Sequence, residues 1–104
     1  MIHQAKFQIG EIVNHLKFNY RGVIYEADAV FSLTDEWYEQ VAKSRPPKDE
    51  PWYHVLVDKA DHSTYVAEQH LIAATDNGEI VHPALEELFE YYTKGRYYSR
   101  QVQM

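Results

Sequence analysis

Apolar and polar positions along this chain alternate in short blocks, and the blocks change period twice. "IGEIVNH" (9–15) and "RGVIYEADAVF" (21–31) are rich in β-formers and separated by "LKFNY", which predicts a strand, an aromatic loop and a second strand. Gly22 is the expected place for a bend or a positive φ between them. The period then lengthens in "SLTDEWYEQVAKSRPP". Thr34 is placed to cap a helix whose first turn carries Asp35 and Glu36, with Trp37 and Val41 at i, i+4 on one face. Pro46 disfavours helical geometry at Arg45, so this helix is expected to end near Ser44 and to lead into the charged connector "PPKDEP".

Alternation returns in "PWYHVLVD" (51–58). As a strand it sends Tyr53, Val55 and Val57 one way and Trp52, His54 and Leu56 the other, and both sets are bulky. Such a strand is expected to be central or curled into a barrel, covered on its outside by a helix, a loop or another subunit. A turn at "KADHS" returns the chain into "TYVAEQHLIAAT". The register of this hairpin stays open, because one residue more or less in the turn decides whether Tyr65 or Val66 joins Tyr53. After an Asn-Gly turn signal at Asn77 and Gly78, "HPALEELFEYYTKG" reads as a helix. Pro83 suits its first turn, Leu85, Leu88, Phe89 and Tyr92 share a face, and Gly95 ends it. The tail "RYYSRQVQM" is expected to be frayed or bound to a partner.

About five short strands in so few residues favour a small, strongly bent antiparallel barrel over an open sheet, since closure removes exposed edges. We expect one domain over 1–104, with the barrel over about 6–76 and the terminal helix and tail over about 82–104.

Composition changes this picture in three ways. The aromatic share is 14%, with nine tyrosines, so rings must serve both as core and as surface. Cysteine is absent, which removes disulfides and thiolate metal sites. The formal charge of −6 opposes sequence-independent attraction to nucleic acid. No apolar run approaches the roughly 20 residues of a membrane span, and "MIHQAKFQIGEI" lacks the basic-then-apolar pattern of a signal peptide, so a cytoplasmic location is expected.

Candidate chemistry is sparse. His54, His62 and His70 are evenly spaced by eight, but a hairpin would separate them, so no metal site or cofactor is expected. None of the serines sits in a glycine-flanked elbow, and four glycines draw no phosphate-cradling loop. Glu86, Glu87 and Glu90 lie opposite an apolar stripe and read as a solvated face. The loop "HLKFNYRG" offers more. Lys17 and Arg21 could meet phosphates or acidic side chains while Phe18 and Tyr20 present flat faces, unless the two rings fold inward as plugs. Arg96, Tyr97, Tyr98 and Arg100 repeat that composition in the tail. Candidate partner or DNA contacts are therefore Lys17, Phe18, Tyr20, Arg21, Arg96 and Arg100, and Trp52 and His54 are candidate interface residues.

Taken as an ordered set, "IGEIVNH", "YRGVI", "PWYHVLVD" and "TYVAEQHL", from about Lys6 to Leu71, resemble the heat shock protein HspQ family, also described as the YccV-like hemimethylated-DNA-binding family. "IVHPALEELF" looks like the helical extension of some relatives. The resemblance implies a mainly β fold, a small SH3-like antiparallel β-barrel with one inserted short helix and a C-terminal helix. It also implies a heat-inducible cytoplasmic protein without enzymatic activity. Such proteins are linked to hemimethylated DNA, to control of the replication initiator protein and to the ATP-dependent Lon-type protease, and they are associated with trimers, so a homo-oligomer is expected. The acidic balance ranks a protein partner above DNA.

Overall fold

The computed structural model describes residues 4–99. Five strands, β1 (Ile12–His15), β2 (Arg21–Asp28), β3 (Trp52–Val57), β4 (Ser63–Ala67) and β5 (Leu71–Ala73), form one antiparallel sheet in the order β4-β3-β2-β1-β5. Helix α1 (Asp35–Val41) is inserted between β2 and β3, and a 3-10 turn at Glu68–His70 joins β4 to β5. The sheet is not closed into the expected barrel: β4 and β5 remain its two edges.

Curvature comes from β2. Its pairing with β3 shifts register between Ile24 and Glu26, leaving Tyr25 as an extra residue that bends the strand. Residues from all five strands then enclose one cluster, Val13, Ile24, Tyr53, Val55, Val66 and Leu71, which Phe7 covers. Gly22 does not bend the chain. It lies inside β2, where a Cβ would fall 2.4 Å from Val55 Cγ1, so its task is close approach of two strands.

The other face of β3 is covered twice. Trp52 packs with Tyr38, Ala42 and Ala67 beneath α1, whereas Leu56 joins Ile12, Val23, Ile80, Phe89 and Tyr97. The expectation that both faces of "PWYHVLVD" are filled holds, and the hairpin register resolves with Val66 opposite Tyr53 and Tyr65 opposite His54. Complete burial of side chains of this size stabilises by about 1.5–3 kcal/mol each.

Two helical expectations are corrected. Thr34 caps α1 as read, accepting from the Trp37 amide at 3.1 Å, but the buried stripe is Tyr38 and Ala42, while Val41 is exposed. The terminal helix is a single turn, α2 (Leu85–Leu88). Residues expected to continue it form a hairpin, β6 (Tyr91–Thr93) and β7 (Arg96–Tyr98). Lys94 and Gly95, both at positive φ, make its two-residue turn, so Gly95 is a hairpin glycine and not a helix end. The physical reason is the aromatic run: Tyr92 and Tyr97 pair across the hairpin, and Tyr97 buries itself in the core beside Phe89.

That hairpin docks at Gly10. The Tyr97 amide donates to the Gly10 carbonyl at 2.9 Å, and Gly10, at φ 91°, leaves no room for a Cβ, which would meet the Tyr97 carbonyl oxygen at 1.9 Å. The tail as far as residue 99 is therefore built into the fold rather than frayed. Asn77 and Gly78 form no hairpin; Asp76 Oδ1 accepts from the Gly78 amide in a local turn. Among the described residues no helix is long and apolar enough to cross a membrane.

Candidate ligand groove

A groove of about 580 Å³ runs along β4, an edge strand of the sheet. One wall is the loop after β1, carrying Lys17, Phe18 and Tyr20. Another is the solvent side of α1 and its exit, with Trp37, Val41 and Lys43, and every residue of β4 contributes to the lining.

His15 shapes the loop. It is buried, and its Nδ1 accepts from the amides of Lys17 (3.1 Å) and Phe18 (3.0 Å), which requires a neutral ring with the proton on Nε2. Burial lowers its pKa, reinforced by His70 and then Lys17. His70, 5.7 Å away between ring centroids, is lowered by its own burial and by Lys17. Phe18, 67% exposed, stands over the His15 ring at 4.8 Å with the Lys17 ammonium 5.5 Å from its centroid. Tyr20 closes the loop onto the sheet through a 2.6 Å hydroxyl contact with Thr64 Oγ1, and burial raises its pKa despite that bond.

Deeper in, the Tyr65 hydroxyl donates to Asp28 Oδ2 at 2.8 Å and accepts from the Ser32 amide at 3.0 Å. Burial and the bond to Asp28 push its pKa up to about 12. His54 Nε2 lies 3.1 Å from the same carboxylate oxygen, and the ring packs on Tyr65 at 4.5 Å. His54 is thus on an interior strand, tied to Asp28, with its ring lining the groove.

The electrostatic character of the groove departs from that of the chain. Two lysines and three histidines line it, and no aspartate or glutamate does, although the whole protein carries −6. Lys17 and Lys43 pair with no carboxylate among the described residues.

The candidate residues read from sequence separate here. Lys17, Phe18 and Tyr20 come together at the groove. Arg21 does not join them: its guanidinium reaches Asp58 Oδ2 at 3.0 Å and the carbonyls of Asp76, Gly78 and Glu79. Arg96 bonds Gln8 Oε1 and the Ile9 carbonyl, fastening the terminal hairpin to the strand entry. Trp52, expected at an interface, is 2% exposed beneath α1, its indole N–H donating to the Pro47 carbonyl at 3.0 Å, and it contributes to the floor of the groove alongside His54. Arg100 lies outside the described residues. Sequence reading missed Trp37, Val41, Lys43, Tyr65 and His70 as groove residues. The available signal was the second i, i+4 stripe of α1, whose Tyr38–Ala42 pair competes with Trp37–Val41 for the core. Among the described residues no group of three or more histidines and carboxylates is arranged to hold a metal ion.

The family model for the hemimethylated DNA-binding protein YccV-like family matches residues 5–96. The chain belongs to the YccV-like family. The match takes in the sheet, α1, the groove and most of the terminal hairpin, and so extends well past Leu71, where the ordered motifs of the sequence end. The family description names a DNA-binding protein and no enzymatic reaction.

Proposed function

We propose that this YccV-like chain is a non-enzymatic regulator that binds segments of other proteins in the groove along β4. Through such binding it modulates ATP-dependent, Lon-type proteolysis and the abundance of a replication initiator, as the HspQ resemblance implies. The observation that carries the protein-binding reading is the lining: exposed and half-buried rings, three imidazoles and two ammonium groups, with no carboxylate in the lining and none paired to those ammonium groups among the described residues. Apolar faces with a few placed charges are what protein hot spots offer. The SH3-like reading of the sheet is supported by the single cluster that all five strands enclose. A single domain, a cytoplasmic location and a homo-oligomer complete the proposal. The test is a degradation assay with a purified Lon-type protease and a panel of substrates. Altered rates on adding the chain, reduced by Phe18→Ala, are expected; no change for any substrate overturns the reading.

A second reading, binding of hemimethylated DNA, is favoured by the family description and by Lys17 and Lys43 on a carboxylate-free lining. Arg21 and Arg96 are engaged within the fold, so few phosphates can be neutralised. Two lysines predict a log–log salt slope of about −2. A flat salt response, or equal affinity for fully methylated and hemimethylated duplexes, removes this reading.

A further inference from the structure

The β3–β4 ladder keeps one register throughout, with Trp52 opposite Ala67 and Leu56 opposite Ser63. Just beyond its ends the Val57 amide donates to the His62 carbonyl and the Glu68 amide to the Pro51 carbonyl. Antiparallel ladders alternate between hydrogen-bonded and non-hydrogen-bonded pairs. Thr64 and Val66 therefore spend their backbone groups on β3, and Ser63, Tyr65 and Ala67 direct theirs outward, along the free edge that lines the groove. Native edges are commonly blunted by lysine, proline, a bulge or an inward charge. "STYVA" has none of these. Beside it stand Lys17 and Lys43, with no carboxylate in the lining of a chain whose net charge is −6.

We propose that the groove captures its partner by strand addition: an extended acidic peptide segment pairs with Ser63, Tyr65 and Ala67 while its carboxylates meet Lys17 and Lys43. The inference rests on the protein-binding reading above and specifies the class of segment bound. Main-chain hydrogen bonds supply affinity independent of sequence, and alternate side chains of the peptide enter the aromatic groove. The acidic requirement follows from the two ammonium groups on a lining without carboxylates, whereas the like net charge of −6 on each copy disfavours a second whole chain as the occupant.

The experiment uses the intact chain and labelled peptides of about six residues that alternate apolar residues with glutamate, followed by fluorescence anisotropy. Saturable binding is expected, together with perturbation of the Ser63, Tyr65 and Ala67 amides in NMR spectra. Binding should weaken at least about tenfold when peptide amides of one alternate register are N-methylated and far less for the other register. Lys17→Glu with Lys43→Glu should weaken it similarly, and a lysine-for-glutamate peptide should not bind. Ser63→Pro removes only an outward amide at an edge position where proline is tolerated, so a folded Ser63→Pro protein should bind more weakly. Equal binding of both N-methylated registers, equal binding of the lysine peptide, or no binding by any acidic peptide overturns strand addition. So does a concentration-dependent dimer abolished by Ser63→Pro, which would make a second copy the occupant, and so does displacement of bound peptide by duplex DNA alone among the competitors. If protease modulation persists undiminished in Ser63→Pro, strand addition fails while the protein-binding reading stands; if the unaltered chain modulates no substrate, the broader reading fails first.

Discussion

The Arg21 guanidinium holds the Asp58 carboxylate at 3.0 Å with both side chains largely removed from water, Asp58 being 8% exposed. The pair is a fastening. Asp58 Oδ1 accepts from the Val81 amide at 2.8 Å and Arg21 collects three carbonyls of residues 76–79, so the two charges pin the segment that carries Ile80 into the core.

Removing one partner should therefore act on stability and not on ligand affinity. Arg21→Met is expected to destabilise the fold by about 2–4 kcal/mol, because Asp58 stays largely buried without its counter-charge. Urea unfolding measures this. A change below about 0.5 kcal/mol, the range of ordinary surface substitutions, would show the pair to be incidental.

Gly10 carries the second prediction. Gly10→Ala places a Cβ against the Tyr97 carbonyl at a left-handed φ, so the terminal hairpin must shift away from the sheet. A loss of about 2–4 kcal/mol is expected from strain and the opened core. In hydrogen exchange the Tyr97 amide, which donates to Gly10, should lose its protection before those of β3.

His15 and His70 give the third. Both have pKa values lowered in the folded chain, so below the ordinary histidine value near 6.5 the unfolded chain binds more protons than the folded one. Their contribution to stability is complete above about pH 6.5 and is lost as pH falls through the lower folded values. Melting temperature should drop as pH falls below about 6.5, and the drop should be shallower in His70→Gln. His15 additionally surrenders the acceptor for the Lys17 and Phe18 amides when Nδ1 is protonated, so loop signals should broaden or shift over the same interval.

Tyr53 separates core from polar anchoring. Its hydroxyl donates to Glu68 Oε1 at 2.6 Å and accepts from the Phe7 amide at 3.2 Å, and burial, with the Glu68 bond next, raises its pKa. Tyr53→Phe keeps the ring edge-on to Phe7 and strips both bonds, for an expected cost of about 1–3 kcal/mol. Thermal unfolding that matches the parent would mean that water replaces the hydroxyl.

Local patterns made much of this fold legible. The alternation in "PWYHVLVD" marked a strand filled on both sides, and Thr34 with its acidic neighbours marked the start of α1. The terminal run was misread because Leu85, Leu88, Phe89 and Tyr92 satisfy a helical spacing while Tyr91, Tyr92, Tyr97 and Tyr98 suit a hairpin. Gly95 serves either as a helix end or as a turn residue, and the docking surface at Gly10, some eighty residues earlier in the chain, selects the turn.

The amino-acid order alone determined where β2, β3, β4 and the first helix begin to within a residue or so, the absence of thiol chemistry, and the family, because each depends on neighbours within a few positions or on an ordered set of motifs. Tertiary structure decided which of Tyr65 and Val66 faces inward, that Arg21 serves Asp58, and that Lys17 and Lys43 share a wall-to-wall lining free of carboxylates. Those outcomes depend on register and on contacts between distant segments, where a one-residue slip reverses every side chain of a strand.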